Sequence, residues 1–408
     1  MSVMPQAARR PDRPGFWTTA FFVILAVFLG VAVLRFTRGL GAVTALSDRF
    51  PWGLWIGFDI LCGVGLAAGA FTIMAVVHLF NIRRFEPVVR PTVLTGFLGY
   101  LFVVFALLFD LGQPWRIWHA IVFWNPHSVM FEVAWCVMLY TAVLALEFVP
   151  MVLERFGFER LRRIMHDVST PLVVLGVLLS TLHQSSLGSL YLIVPEKLHP
   201  LWYSPMLPLL FYVSAIGAGL GMIIVESQLS GRAFGRELEM DLLEPLGRAM
   251  VVALAVFGVL RLQSLWHAGA LPLALQPTYE GRMFQLEFGM GVVLPVALLL
   301  VPRVRGSQAG LVTAATLAVL GFIMHRLDVS VTGLERAAGV RYVPTWMEVV
   351  VSVGLVAIGF AAFGLAVRYL PVFPEHARPP AAGRGLGALA APATRAPRPA
   401  PPGGEEEA

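Results

Sequence analysis

Residues 51–71 read PWGLWIGFDILCGVGLAAGAF, and the apolar run they open continues to Phe80 with Asp59 as its only carboxylate. About twenty apolar residues cross a bilayer core ~30 Å thick, so this run is a membrane-spanning helix with an acid inside it. The pattern recurs along the chain. Ten spans are predicted, at 16–35, 52–80, 92–110, 128–150, 168–188, 206–228, 246–268, 284–302, 309–329 and 345–370. The whole chain agrees: of 408 residues, 57% are hydrophobic and 13% charged, with a mean hydropathy of +0.76, where soluble domains carry about 25% charged residues. The expected fold is an all-α integral membrane protein.

Proline punctuates the starts, with Pro51, Pro91 and Pro171 expected at or near first turns, where a missing N–H costs nothing. The first span follows Arg9, Arg10 and Arg13 but is longer than a signal peptide's apolar stretch, and is read as an uncleaved helix. Lys and Arg number 20 in the termini and the loops after spans two, four, six and eight, against 7 in the alternate loops. Both termini are therefore expected in the cytoplasm. Residues 1–15 are expected as a cytoplasmic tail, 16–370 as the membrane domain and 371–408, rich in Pro, Ala and Gly, as a disordered tail. Gly63-Val-Gly65-Leu66 in span two aligns with Gly217-Ala-Gly219-Leu220 in span six. That suggests two four-helix bundles, spans 2–5 and 6–9, flanked by spans one and ten.

Composition excludes several chemistries. Cys62 and Cys136, both inside apolar segments, cannot hold an iron–sulfur cluster, which takes about four thiolates. The net charge of +5 comes mainly from arginine in short loops and tails, and speaks of topology rather than nucleic acid. No helix carries HxxxH or ExxH spacing for a metal, and His183, His267 and His325 on one side with only His78 on the other make a two-haem stack a poor fit.

Ionisable groups inside spans are costly and mark function or forced pairing. Under the expected topology Asp59 lies about 12 Å below the outer surface at 1.5 Å per residue. Glu132, His183, Gln184, Arg261, Gln263, His267, Glu287, His325, Arg326, Asp328 and Glu348 also crowd the outer halves. The inner side holds only His78, Glu147 and Glu226, with Tyr100 near mid-membrane. Arg326, Asp328 and Glu348 read as ordinary helix-end residues. Asp59, Glu132, His183, Arg261 and Glu226, with apolar sequence on both sides, each require a partner or water.

Four segments carry a family resemblance: the opening stretch, DLGQPWRIWHAI from Asp110, SVMFEVAWCVMLY from Ser128 and STLHQSSLGSLYLI from Ser180. Together they resemble the NrfD/PsrC-type quinone-interacting membrane subunits, and within that family the HybB type found with hydrogenase-2-type nickel–iron hydrogenases. The resemblance implies a subunit of the bacterial inner membrane with no haem and no iron–sulfur cluster of its own. It implies a periplasmic ferredoxin-like iron–sulfur partner, catalytic subunits of hydrogenase type, and menaquinone or ubiquinone as an exchangeable substrate near the periplasmic face. Carried onto this chain, it points to Asp59, Tyr100, Glu132, His183 and Glu226, with Arg261 and His267 beside them.

Quinone chemistry asks for the same residue types, since two carbonyl oxygens must become hydroxyls beside an apolar slot for the tail. Asp59, His183, Tyr100, Arg261 and His267 are assigned to quinone binding, and Glu132, Tyr100, His183 and Glu226 to proton movement. Three alternatives stand: a related complex reducing polysulfide, nitrite or another substrate through molybdopterin or multihaem enzymes, a secondary transporter, and a purely structural anchor.

Overall fold

The structure, a computed structural model, describes residues 15–373. The expected N-terminal tail falls outside the described residues except for Gly15, and the expected C-terminal tail except for its first three.

Among the described residues ten helices are long and apolar enough to cross a membrane: α1 (Phe16–Arg38), α2 (Trp55–Leu79), α3 (Arg83–Asp110), α4 (Val129–Phe156), α5 (Ser169–Ser189), α6 (Leu207–Phe234), α7 (Met240–His267), α8 (Tyr279–Leu300), α9 (Gln308–Ala338) and α10 (Trp346–Tyr369). The molecule's upper end is the one where α2 begins, and the opposite end is the lower. Among the described residues the only β pairing is an isolated bridge between Ser47 and Phe50.

Several helices outrun their apolar cores. α3 begins at Arg83, so Pro91 lies inside the helix and not at its start. α4 runs six residues past Pro150, α6 continues through the polar stretch Ser227–Phe234, and α7 begins six residues before 246. α9 extends to Ala338, nine residues beyond 329, which moves Arg326 and Asp328 from a helix end into the span and corrects the helix-end reading. Arginine and glutamate at the lower rim continue a helix as readily as they start a loop, because their stems lie along the helix while the charges reach water.

Packing follows the chain in part. α2 packs on α3, α3 on α4, α4 on α5 and α5 back on α2; α6 packs on α7, α7 on α8, α8 on α9 and α9 back on α6. α2 also crosses α6 and α9, and α5 contacts α6. α1 lies against α10, which touches α3 and the start of α2. The α2–α6 crossing is glycine on glycine: a Cβ on Gly219 would stand 2.5 Å from the Gly69 nitrogen. Small residues let backbones approach this closely where lipid offers no hydrophobic drive.

Two polar ties fix the upper rim. The Arg35 guanidinium on α1 donates to the Phe109 and Leu111 carbonyls at 2.6 and 2.5 Å, where a cation meets the negative end of α3. Glu348, 1% exposed, accepts from the amides of Ala45 and Thr345 at 3.0 and 2.7 Å and from the Tyr342 hydroxyl. With Thr345 it closes a capping box on α10. Glu348 is thus a structural latch set inside the fold, again not a solvated helix end.

Candidate functional site

Helix α2 departs from regular α geometry at both ends, with π-helical turns at Trp55–Cys62 and Ala75–Leu79. Similar turns occur in α8 at Gly289–Val293 and in α9 at Asp328–Thr332. Such turns are rare and gather at functional sites. They hold Asp59 in α2 and Asp328 in α9, and the two segments pack on each other.

Asp59 is buried, and its Oδ2 accepts a 2.6 Å hydrogen bond from Ser352 on α10. It lines the upper part of a cavity of about 470 Å³ formed by α2, α3, α6 and α10. The walls are apolar: Phe58, Leu66, Phe102, Met222, Leu355 and Phe363 among others. Glu226 on α6 lines the same cavity, and among the described residues Asp59 and Glu226 are its only two carboxylates. The Gly69–Gly219 crossing gives the register. Asp59 sits ten residues above it on α2 and Glu226 seven below it on α6, a separation of about 25 Å along the helices at 1.5 Å per residue. Leu229 and Phe360 line the cavity and are 42% and 58% exposed, so it opens sideways on the perimeter between α6 and α10.

The other expected residues fall into separate places. Tyr100 and His183, both fully buried, share a 2.9 Å hydrogen bond between the Tyr hydroxyl and Nδ1 across α3 and α5. The Tyr140 ring stands edge-on to Tyr100 at 4.3 Å. His183 Nε2 is buried without a hydrogen-bond partner among the described residues. One turn along α5, Ser186 donates to Glu132 Oε1 on α4 at 2.5 Å. This polar column lies inside the α2–α5 group, on the other side of α2 and α3 from the cavity.

Arg261 lies in the α6–α9 group, 1% exposed, donating to the Leu201 carbonyl at 2.9 Å. His267 is exposed at the upper end of α7, its Nδ1 on the Gln263 carbonyl at 2.8 Å, and is brought to neither the cavity nor the Tyr100–His183 column.

A second buried cluster surrounds Arg261. Glu287 and His325 are both almost fully enclosed and joined at 2.7 Å through His325 Nδ1. A carboxylate only accepts, so that nitrogen carries the proton. The Trp202 indole donates to the other Glu287 oxygen at 2.7 Å. Arg326, 0% exposed, donates to Ser214 Oγ and the Phe211 carbonyl, both at 3.0 Å, and lies 3.7 Å over the Phe211 ring. Glu287, His325 and Arg326 were visible in the sequence as outer-half polar residues. The Glu287–His325 contact, and the turn of Arg326 onto α6, were not, because they join helices whose facing sides no periodicity specifies.

Among the described residues no group of three or more His, Cys, Asp or Glu side chains is placed to hold a metal.

With ten helices long and apolar enough to cross a membrane among its described residues, and with carboxylates at two depths of an apolar cavity, the chain has the architecture of a polytopic α-helical integral membrane protein. Residues 42–338 match the family model described as "Polysulphide reductase, NrfD", and the chain belongs to the NrfD family. It is 39% identical over 370 residues to a protein of Nitratidesulfovibrio vulgaris, covering 87% of this chain and 93% of that one. It is 35% identical over 359 residues to the probable Ni/Fe-hydrogenase 2 b-type cytochrome subunit of Escherichia coli, covering 87% and 91%. To the menaquinone reductase integral membrane subunit of N. vulgaris it is 29% identical over 413 residues, covering 92% and 96%.

Proposed function

We propose that this chain is the membrane subunit of a respiratory oxidoreductase complex and that quinone, menaquinone or ubiquinone, binds in the cavity between α2, α3, α6 and α10. The observation that carries the reading is one apolar cavity of about 470 Å³ with the buried Asp59 carboxyl near one end and the half-buried Glu226 carboxyl near the other, a size within the range of small-molecule sites. The head group sits at the Asp59–Ser352 end, about 6 Å below the start of α2, where a carboxyl can exchange a proton with a quinone oxygen. The tail lies along Leu66, Phe102 and Phe363 and leaves sideways past Leu229 and Phe360.

Reduction of one quinone to quinol consumes two electrons and two protons. The electrons come from a periplasmic ferredoxin-like iron–sulfur subunit fed by catalytic subunits. A hydrogenase is the first choice, on the likeness to the hydrogenase-2 relative, and a polysulfide, nitrite or other molybdopterin or multihaem reductase is the alternative. Protons move through Glu226 in the cavity and through Glu132, His183 and Tyr100 in the neighbouring column. The contacts support reading α2–α5 and α6–α9 as two four-helix bundles, each with a polar pair between its last two helices: the part-buried Glu132–Ser186 and the buried Glu287–His325. With the charge bias, an even number of spans puts both termini in the cytoplasm of a bacterial inner membrane, and residues 16–370 form the membrane domain.

The test fills the slot. Gly359 faces it with only Phe102 within 4 Å of an added Cβ, so Gly359→Trp occupies the tail's place. In the assembled complex it is expected to abolish binding of a quinone-site inhibitor, and Asp59→Asn to lower quinone-linked turnover about tenfold or more. Undiminished inhibitor binding and turnover in both variants would sink the assignment.

A further inference from the structure

Between α4 and α5 the chain makes one more helix, Glu159–Asp167, entered through Gly157, whose φ of +74° turns the backbone at the end of α4. α4 has 28 residues, about 42 Å at 1.5 Å per residue, and so outruns a hydrocarbon core ~30 Å thick. Its lower end therefore stands at the level of the lipid headgroups. The short helix packs on α4 and α5 there and has four unlike sides. Arg162 and Met165, both half-buried, face the bundle. Leu161, Ile164 and Val168, at i, i+3 and i+7, form the next side and are all exposed. Arg160 and Arg163 follow around the helix, exposed, and His166 completes the circuit with its side chain 89% exposed.

The arginines here outnumber their acids. Arg90 meets Glu154 at 2.8 Å, and Arg162 reaches Glu154 at 3.7 Å and Glu159 at 3.1 Å. Both glutamates are thereby engaged, whereas the exposed Arg155, Arg160 and Arg163 have no carboxylate partner among the described residues. A helix whose apolar side adjoins its arginines, and whose remaining side is polar, is suited to lie in a membrane interface.

We infer that this helix is a binding surface for anionic phospholipids of the lower leaflet. Leu161, Ile164 and Val168 sink among the acyl chains. Arg155, Arg160 and Arg163 take the headgroup phosphates, to each of which a guanidinium donates two hydrogen bonds at once. A zwitterionic headgroup also carries a phosphate, but its own ammonium cancels the charge, so three unmatched cations select phosphatidylglycerol and its relatives. None of these residues lines the slot, so the surface stands or falls independently of the quinone reading.

The experiment uses the assembled complex carrying Ile164→Cys, labelled with a thiol-reactive nitrobenzoxadiazole, in phosphatidylcholine vesicles. A minor fraction of the lipid bears a nitroxide on its acyl chain and is either phosphatidylglycerol or phosphatidylcholine. The parent complex treated alike gives the background; in this chain Cys62 and Cys136 are buried. Quenching about threefold or more stronger by the nitroxide phosphatidylglycerol is the expected result. It should weaken in about 1 M salt, where the screening length is about 3 Å, and fall to parity when Arg155→Gln, Arg160→Gln and Arg163→Gln are combined. The same probe on His166→Cys, on the water side, should be quenched less by either lipid. Equal quenching by the two lipids with the arginines in place, or a preference that survives the triple substitution, overturns the proposal. So does quenching by neither lipid at residue 164, the outcome for a helix covered by another protein or lifted clear of the bilayer. If the Ile164→Cys variant fails to assemble, phosphatidylglycerol retained per complex after detergent washing decides instead, and equal retention by the parent and the triple variant overturns it.

Discussion

His183 and Tyr100 satisfy each other across two helices, so removing one leaves the other buried and unpaired. His183→Ala is expected to cost about 1–3 kcal/mol of stability in addition to any loss of turnover, whereas Tyr100→Phe, which keeps the buried ring and its packing on Tyr140, should cost less. Thermal unfolding of the purified complex in detergent measures both. His199, in the loop between α5 and α6, offers a pH readout outside the membrane. It is buried, its Nδ1 accepts from the Leu201 amide at 3.2 Å, and its own amide donates to the Gly333 carbonyl at 2.8 Å. Burial lowers its pKa below the ordinary 6.5, with Glu280 opposing and Arg336 assisting. Because the unfolded loop binds the proton more readily, stability rises with pH between the lowered folded value and about 6.5. Limited proteolysis at this loop should therefore quicken as pH falls below about 6.5, and His199→Gln should flatten that dependence. Residue identities at these points were plain in the sequence. That Asp59 and Glu226 share a cavity while His183 sits in a separate column was not, because depth along a helix can be counted from the sequence but the direction a side chain faces around it cannot.

At the scale of elements, the helices were legible because an apolar stretch of about twenty residues has one stable form in lipid. Their ends were less so at the lower rim, where polar residues extend α6 through Phe234 and start α7 at Met240. The π turns were invisible, since one extra residue per turn leaves no mark on composition. One of them, Gly289–Val293, sits where α8 crosses α9: a Cβ on Gly321 would collide with the Gly291 Cα. Gly321→Ala is expected to force the helices apart at a cost of about 1–3 kcal/mol, and to disturb the Glu287–His325 contact one turn away. Gly364→Ala, with nothing within 4 Å of the added carbon, is the matched control. Equal melting temperatures for the two would contradict the glycine crossing.

For the whole molecule the question is one of sides. If Glu226 draws protons from below while electrons arrive from above, each quinone reduced moves charge across the membrane. A potential-sensitive dye in proteoliposomes should register it, and Glu226→Gln should reduce the dye signal per electron or the rate of turnover. Cysteine tags at residue 118 and residue 160 should react from opposite faces, and both on one face would undo the topology. The complex should co-purify with an iron–sulfur protein, and the chain by itself should give no haem absorption band.

The lateral gap at Leu229 and Phe360 sets the terms on which the slot is filled. An occupant that arrives through it is drawn from the two-dimensional pool of the leaflet, so the relevant abundance is molecules per unit area of lipid and not moles per litre of buffer. Raising the total lipid at fixed total quinone should therefore slow the protein by dilution alone, and analogues with clipped isoprenoid chains, which partition poorly, should compete weakly however well their rings fit.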